Sequence, residues 1–322
     1  MRKALALCGI LLSLLALGLL LWRIDLKSVG AELIRFGWWT WLGGVCIYML
    51  AFIPRGWRWK LMLPNSRQLP WGDVTRSVVV GYAANNLLPF RLGEVVRSVV
   101  AGTRFKISKV TCLGTIAAEK ILDGCCLLAL LALALPFITI RRDSQPVLYR
   151  LSIAVGLVFG VSLLACFALA RWDRWLVDWG QKRLPPGAMR VLKTALAAVE
   201  VFKDRRTTLA TALLTLVVWT LEGLCFSVFL ARMGVAGALP KGFFCLVIVN
   251  LSILIPSAPG YVGVFQAGAV AALLALGMDA SRGLALAIIT HAAQYIPTTI
   301  LGVIFAAMMG LSWRRFYHLS DE

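Results

Sequence analysis

Residues 85–97 read NNLLPFRLGEVVR. The run closes an apolar segment, 77–88, that is too short to cross a bilayer, since a membrane helix needs about 20 apolar residues. Pro89 lacks the N–H needed to continue a hydrogen-bonded helix, and Gly93 lets a neighbouring backbone come close. A short apolar stretch ending in such a break reads as a re-entrant hairpin or a broken helix pair, over 77–104. Backbone of that kind survives at membrane depth only where protein buries it or where it lines a wet cavity.

The rest of the chain supplies the membrane. Of 322 residues, 60% are hydrophobic, above the roughly 45–50% of a soluble domain, and the mean hydropathy is +0.83. Five further apolar runs of spanning length lie at 4–22, 111–138, 151–170, 207–231 and 283–310, and a sixth, shorter one at 38–53. A second short stretch, 243–255, is cut by PSAPGYVG from another at 264–276, giving a second broken hairpin over 242–278. The expected class is an all-α polytopic membrane protein with about six full spans and two re-entrant or broken hairpins. The run at 4–22 has no small-residue cleavage site within the reach of a signal peptide and reads as a retained span.

The formal charge of +18 has two readings, which can both hold. Lys and Arg collect in cytoplasmic loops, or they form a surface that gathers anionic lipid. Residues 54–76 carry five basic residues against one acidic, and residues 171–206 nine against four. Threading six spans puts both loops and both termini on one side, the cytoplasmic one. No basic soluble domain exists to hold nucleic acid. The eight cysteines form no CxxC, and HExxH, Walker A and GxSxG motifs are absent, so neither metal nor nucleotide is expected as a cofactor.

The pattern span, span, hairpin, span then occurs twice, dividing the chain at 1–150 and 151–322. An odd number of spans per half makes the second half inverted, an architecture in which transporters hold their sites at the repeat interface. Asn85 and Asn86 precede Pro89 and Gly93 in one hairpin; Asn250 precedes Pro256, Pro259, Gly260 and Gly263 in the other. The third span of each half has a polar cluster: Glu119, Lys120 and Asp123, then His291 and Gln294. Glu119 and Asp123 share one helical face. They serve either as a cation or proton relay or as partners holding Arg91 or Arg97. Arg91, Glu94 and Arg97 are either ordinary cytoplasmic charges or a head-group site, with the restarted helix offering N–H groups to an anion and arginine suited to phosphate. The 171–206 loop has two amphipathic stripes, Trp172 to Trp179 and Met189 to Phe202, and reads as an interfacial brace. Gly156 and Gly160 form a GxxxG, expected in helix packing.

NNLLPFRLGEVVR, EKILD (119–123) and PSAPGYVGVFQ (256–266) resemble the elements N-x-x-P-x-R-x-G-E, E-R-x-x-D and P-x-P-G-G-x-G-x-x-E of the lysylphosphatidylglycerol synthase transmembrane-region, or flippase-like, family. The likeness runs over nearly the whole chain. It implies an integral protein of the bacterial cytoplasmic (inner) membrane that moves a lipid across the bilayer, without the soluble aminoacyltransferase domain of fused members. The expected partners are membrane lipids, anionic or phosphate-bearing, with lipid-modifying enzymes as candidates beside them. A membrane-embedded transferase and a non-catalytic scaffold are the alternatives. Three positions depart from the pattern: Gln266 stands for Glu, Lys120 for Arg and Tyr261 for Gly, so the last element carries no charge.

Overall fold

The computed structural model describes residue 18 and residues 24–311, apart from Pro89, Phe90 and Pro256. The expected span 4–22 and the tail from 312 lie outside the described residues. The fold is helical throughout those that remain.

Helix α1 (Leu26–Phe36) begins where Asp25 accepts hydrogen bonds from the Lys27 N–H, at 3.0 Å, and the Ser28 hydroxyl, at 2.6 Å. It occupies the segment between the spans expected at 4–22 and 38–53. Gly37, with φ of 80°, turns the chain through 79° into α2 (Trp38–Leu50). The helical path continues through Ala51 into α3 (Phe52–Met62). This corrects the expected end of the span at residue 53. The turn at Ala51 lets Pro54 sit where no N–H is required, and the extension carries Arg55, Arg58 and Trp59 into the interior. Two of the five basic residues counted as loop charges are therefore core residues.

Among the described residues four helices are long and apolar enough to cross a membrane: α6 (Lys109–Ala134, continued by a 3₁₀ turn to Phe137), α7 (Gln145–Arg171), α10 (Arg205–Arg232) and α13 (Ala280–Met308). The bent pair of α1 with α2–α3 makes a fifth if it counts as one span. Asp204 caps α10 by accepting from the Thr207 N–H, and Asp279 caps α13 by accepting from the Arg282 N–H, both at 2.9 Å. Such caps satisfy donors that a helix start leaves free.

Both short apolar stretches form broken pairs: α4 (Trp71–Leu87) with α5 (Leu92–Phe105), and α11 (Ala238–Ser252) with α12 (Val264–Ala275). The partners within each pair pack on each other, and α4 also packs along α13. That crossing is close because Gly302 has no side chain, and a Cβ there would strike Ala83. The loop after α7 forms α8 (Asp173–Arg183) and α9 (Pro186–Ala198). The α9 stripe lies on α6 with Met189 and Leu196 covered, Phe202 in the turn after it packs on Phe167 of α7, and Trp172 and Trp175 remain open. Gly156 and Gly160 meet nothing within 4 Å, so this GxxxG packs no helix among the described residues.

Candidate functional site

The first break is built by side chains of the helix before it. The Asn85 carboxamide oxygen accepts the Gly93 N–H at 2.8 Å, filling one donor at the start of α5. That amide is therefore not open to an anion. A side chain at 93 would collide with the Gly81 carbonyl and with Asn85, so glycine is needed for the approach of α4 to α5. Arg91, just before α5, takes a left-handed φ of 54°, uncommon for a residue with a Cβ.

The second break is closed by Gln266. Its side-chain oxygen accepts the Gly263 N–H at 2.7 Å, and its amide nitrogen lies 3.0 Å from His291 Nδ1. An amide does this work as well as a carboxylate and adds a donor, which gives the Gln at this position a structural role. Gly260 and Gly263, at φ of 67° and 90°, and Tyr261 at 60° shape the turn that begins at Pro259.

The two breaks meet. Asn86 donates to Thr299 Oγ1 at 2.9 Å and to the Tyr295 carbonyl at 3.3 Å, and the Tyr295 hydroxyl returns a bond to the Asn86 carbonyl at 3.3 Å. Arg91 donates to the Ile253 carbonyl at the end of α11 and lies 5.6 Å from the Tyr261 ring. Beneath this junction is a cavity of about 200 Å³. Asn85, Asn86, Arg91, Glu94, Lys120, Asp123, Asn250, His291 and Gln294 line it among the residues singled out from the sequence. Gly93, Arg97, Glu119, Pro259, Gly260, Gly263 and Gln266 do not. Pro89 and Pro256 lie outside the described residues.

Arg97 and Glu119 belong to a different assembly. Arg97, 3% exposed, is held by Glu119 at 2.7 Å and stacks 3.8 Å over Trp59. Arg58 binds Glu119 at 2.6 Å and Asp123 at 2.5 Å and donates to Thr215 at 3.0 Å. Trp219 donates to Asp123 at 2.8 Å. Two positive and two negative groups are thus neutralised inside the protein, tying α3, α5, α6 and α10 together. The expectation that Arg97 holds phosphate is corrected: its charge is spent on a buried carboxylate. Lys120 stands 4.0 Å from Asp123 with its side chain 42% exposed, and the side chain of Glu94, half-buried, makes no hydrogen bond or ion pair with the described residues.

Sequence reasoning missed Arg55, Arg58 and Glu222. Arg55 pairs with Glu222 of α10, and both line the cavity. The guanidinium lies 5.0 Å from the Phe52 and Tyr82 rings, and its Nε and Nη1 find no partner among the described residues. An unmade bond of that kind costs about 1–3 kcal/mol. Glu222 was visible as a lone acid within an apolar run, the standard sign of a functional or paired residue in a membrane helix. The arginines carried no such sign, because they follow the point where the apolar run fades.

Comparison with known proteins came to three findings. The family described as Lysylphosphatidylglycerol synthase TM region matches residues 6–302. A protein of Haloferax volcanii named glycosyltransferase AglD is 24% identical over 341 residues, covering 94% of this chain and 54% of the relative, so the chain spans about half the length of that relative. No solved structure matches.

Proposed function

The chain belongs to the lysylphosphatidylglycerol synthase transmembrane-region family, and from that membership and the cavity we propose that it moves a lipid with a polar, phosphate-bearing head group across the cytoplasmic membrane. One observation carries the reading. In a multi-pass membrane protein, the two broken helices converge on a cavity whose Arg91, Glu94 and Lys120 are half-buried and not fully paired. Arg91 and Lys120 receive phosphate, and Glu94 receives a cationic part of the head group. Charges held this way at membrane depth are costly without a ligand or water, which favours a transport role over a packing one. The two halves act as inverted repeats about the junction of the breaks. The termini face the cytoplasm, because residues 54–76 keep a positive excess after Arg55 and Arg58 are set aside. Movement runs down a lipid or proton gradient.

The test is lipid scrambling by purified protein in liposomes, with fluorescent anionic and zwitterionic phospholipids. Faster movement of at least one class over protein-free vesicles is expected; equal rates for every class would sink the reading. The name of the Haloferax relative favours a second reading, a membrane-embedded transferase acting on a lipid. Lipid mass spectrometry of a deletion strain separates the two, since a transferase leaves a chemical species missing and a transporter leaves it misplaced.

A further inference from the structure

The cavity is not polar on every side. Along one wall it is lined by Gly124, Leu127 and Leu128 of α6 and by Val155 and Phe159 of α7. The opposite face of α7 is bare: Leu157, Val158, Val161 and Leu164 are each more than 60% exposed. Among the described residues α7 packs chiefly on α6, with smaller contacts to the Glu200–Lys203 turn and to α8. One helix thus separates the cavity from the surrounding hydrocarbon. The seam has a defined contact: the Phe159 ring sits where a side chain on Gly124 would be, and Cys125 Sγ approaches the Phe159 carbonyl at 3.5 Å.

We propose that the α6–α7 seam is a lateral portal for the hydrocarbon chain of the transported lipid, with Phe159 on Gly124 as its closed seal. This rests on the transport reading above and adds the route. A head group in the polar cavity must stay joined to a chain whose favoured surroundings are the bilayer. The chain therefore needs an apolar exit beside the cavity, and the α6–α7 wall combines apolar lining with a single covering helix. The other walls near the charges are formed by helices packed on several neighbours. The portal accepts a hydrocarbon chain as such, so an acyl chain and a polyprenyl chain share the chemistry.

The test locks the seam. With the native cysteines replaced by serine, Gly124→Cys with Phe159→Cys joins α6 to α7. Gly223→Cys with Phe243→Cys, a second glycine–ring contact, joins α10 to α11 as control. Movement of fluorescent phosphatidylglycerol in phosphatidylcholine–phosphatidylglycerol vesicles is measured before and after oxidation. The portal lock should slow movement at least about tenfold, which corresponds to about 1.4 kcal/mol of added barrier, and reduction should restore it while the control lock has no such effect. Unchanged movement in the locked seam, or equal slowing by both locks, overturns the portal while leaving transport in place. A wild type that moves no lipid overturns the transport reading and the portal with it. Photolabelling of the wild type covers the case in which the lock does not fold. Phosphatidylglycerol with a diazirine in its acyl chain, or a polyprenyl phosphate so modified, should label Val155 or Leu128, and the reagent that does so names the chain. Label confined to the outward Leu157 and Leu164 overturns the proposal.

Discussion

Glu94 and Glu119 lie in the same bundle and belong to neighbouring helices, yet they occupy opposite situations. Glu119 is fully buried and meets two arginines, which themselves reach Asp123, Thr215 and Trp59. Glu94 is half-buried at the cavity and unpaired among the described residues. A cluster whose guanidinium and carboxylate charges neutralise one another holds helices together and has little net charge left to offer a ligand. One whose charges stay unpaired contributes little to folding and keeps its bonding capacity for a passing head group. The difference separates the two roles that residue type alone leaves merged.

Substitutions should widen this contrast. The largest effect is expected for Glu119→Ala, which leaves Arg97 buried without a carboxylate and Arg58 with Asp123 alone, and should cost about 3–5 kcal/mol of stability, read as thermal unfolding in detergent. Activity per folded molecule should change little; selective loss of lipid movement with normal stability would break the contrast. Removing Glu222 alone should likewise destabilise, while Arg55→Met with Glu222→Leu should recover much of the loss, because an apolar pair can replace a buried ion pair at little cost. A double mutant no better than Glu222→Leu would mean that Arg55 has a role beyond that pair.

Gly93→Ala should cost about 1–3 kcal/mol, the usual penalty of overpacking a tight contact, and should loosen the first break. Glu94→Gln is expected to shift stability by less than about 0.5 kcal/mol while altering the rate or the selectivity of lipid movement. Loss of both stability and movement together would move Glu94 into the structural set. The smallest effect belongs to Asp204, far from both clusters. The Thr207 hydroxyl, then the Thr207 N–H, hold its carboxyl below the ordinary 3.8. Its capping contribution is therefore complete above that pH and fades as pH falls through the lowered value. Asp204→Ala should lower the melting temperature slightly at neutral pH, where the charged cap acts in full, and the deficit should shrink as the pH falls through the lowered value.

The helical membrane class and both breaks were legible in the sequence for a local reason. Apolar length reports the solvent, and Pro and Gly report where a helix cannot continue or where backbones touch. Nine cavity residues were legible too, through polar side chains beside apolar runs. Arg55 and Arg58 were not, since hydropathy falls at FIPRGWRWK whether those guanidinium groups meet water or carboxylates. Arg97 and Arg91 likewise look alike six residues apart, although one is spent on Glu119 and the other reaches Ile253 across the junction.

By itself, then, the sequence determined the solvent of this protein, the positions of its broken helices and the set of residues able to carry charge at depth, because each of those follows from local composition and backbone chemistry. Only the tertiary structure decided which charges neutralise one another and which face the cavity. Pairing depends on distances of a few ångströms between helices far apart in the chain, such as Arg55 on α3 and Glu222 on α10, and no local pattern encodes them.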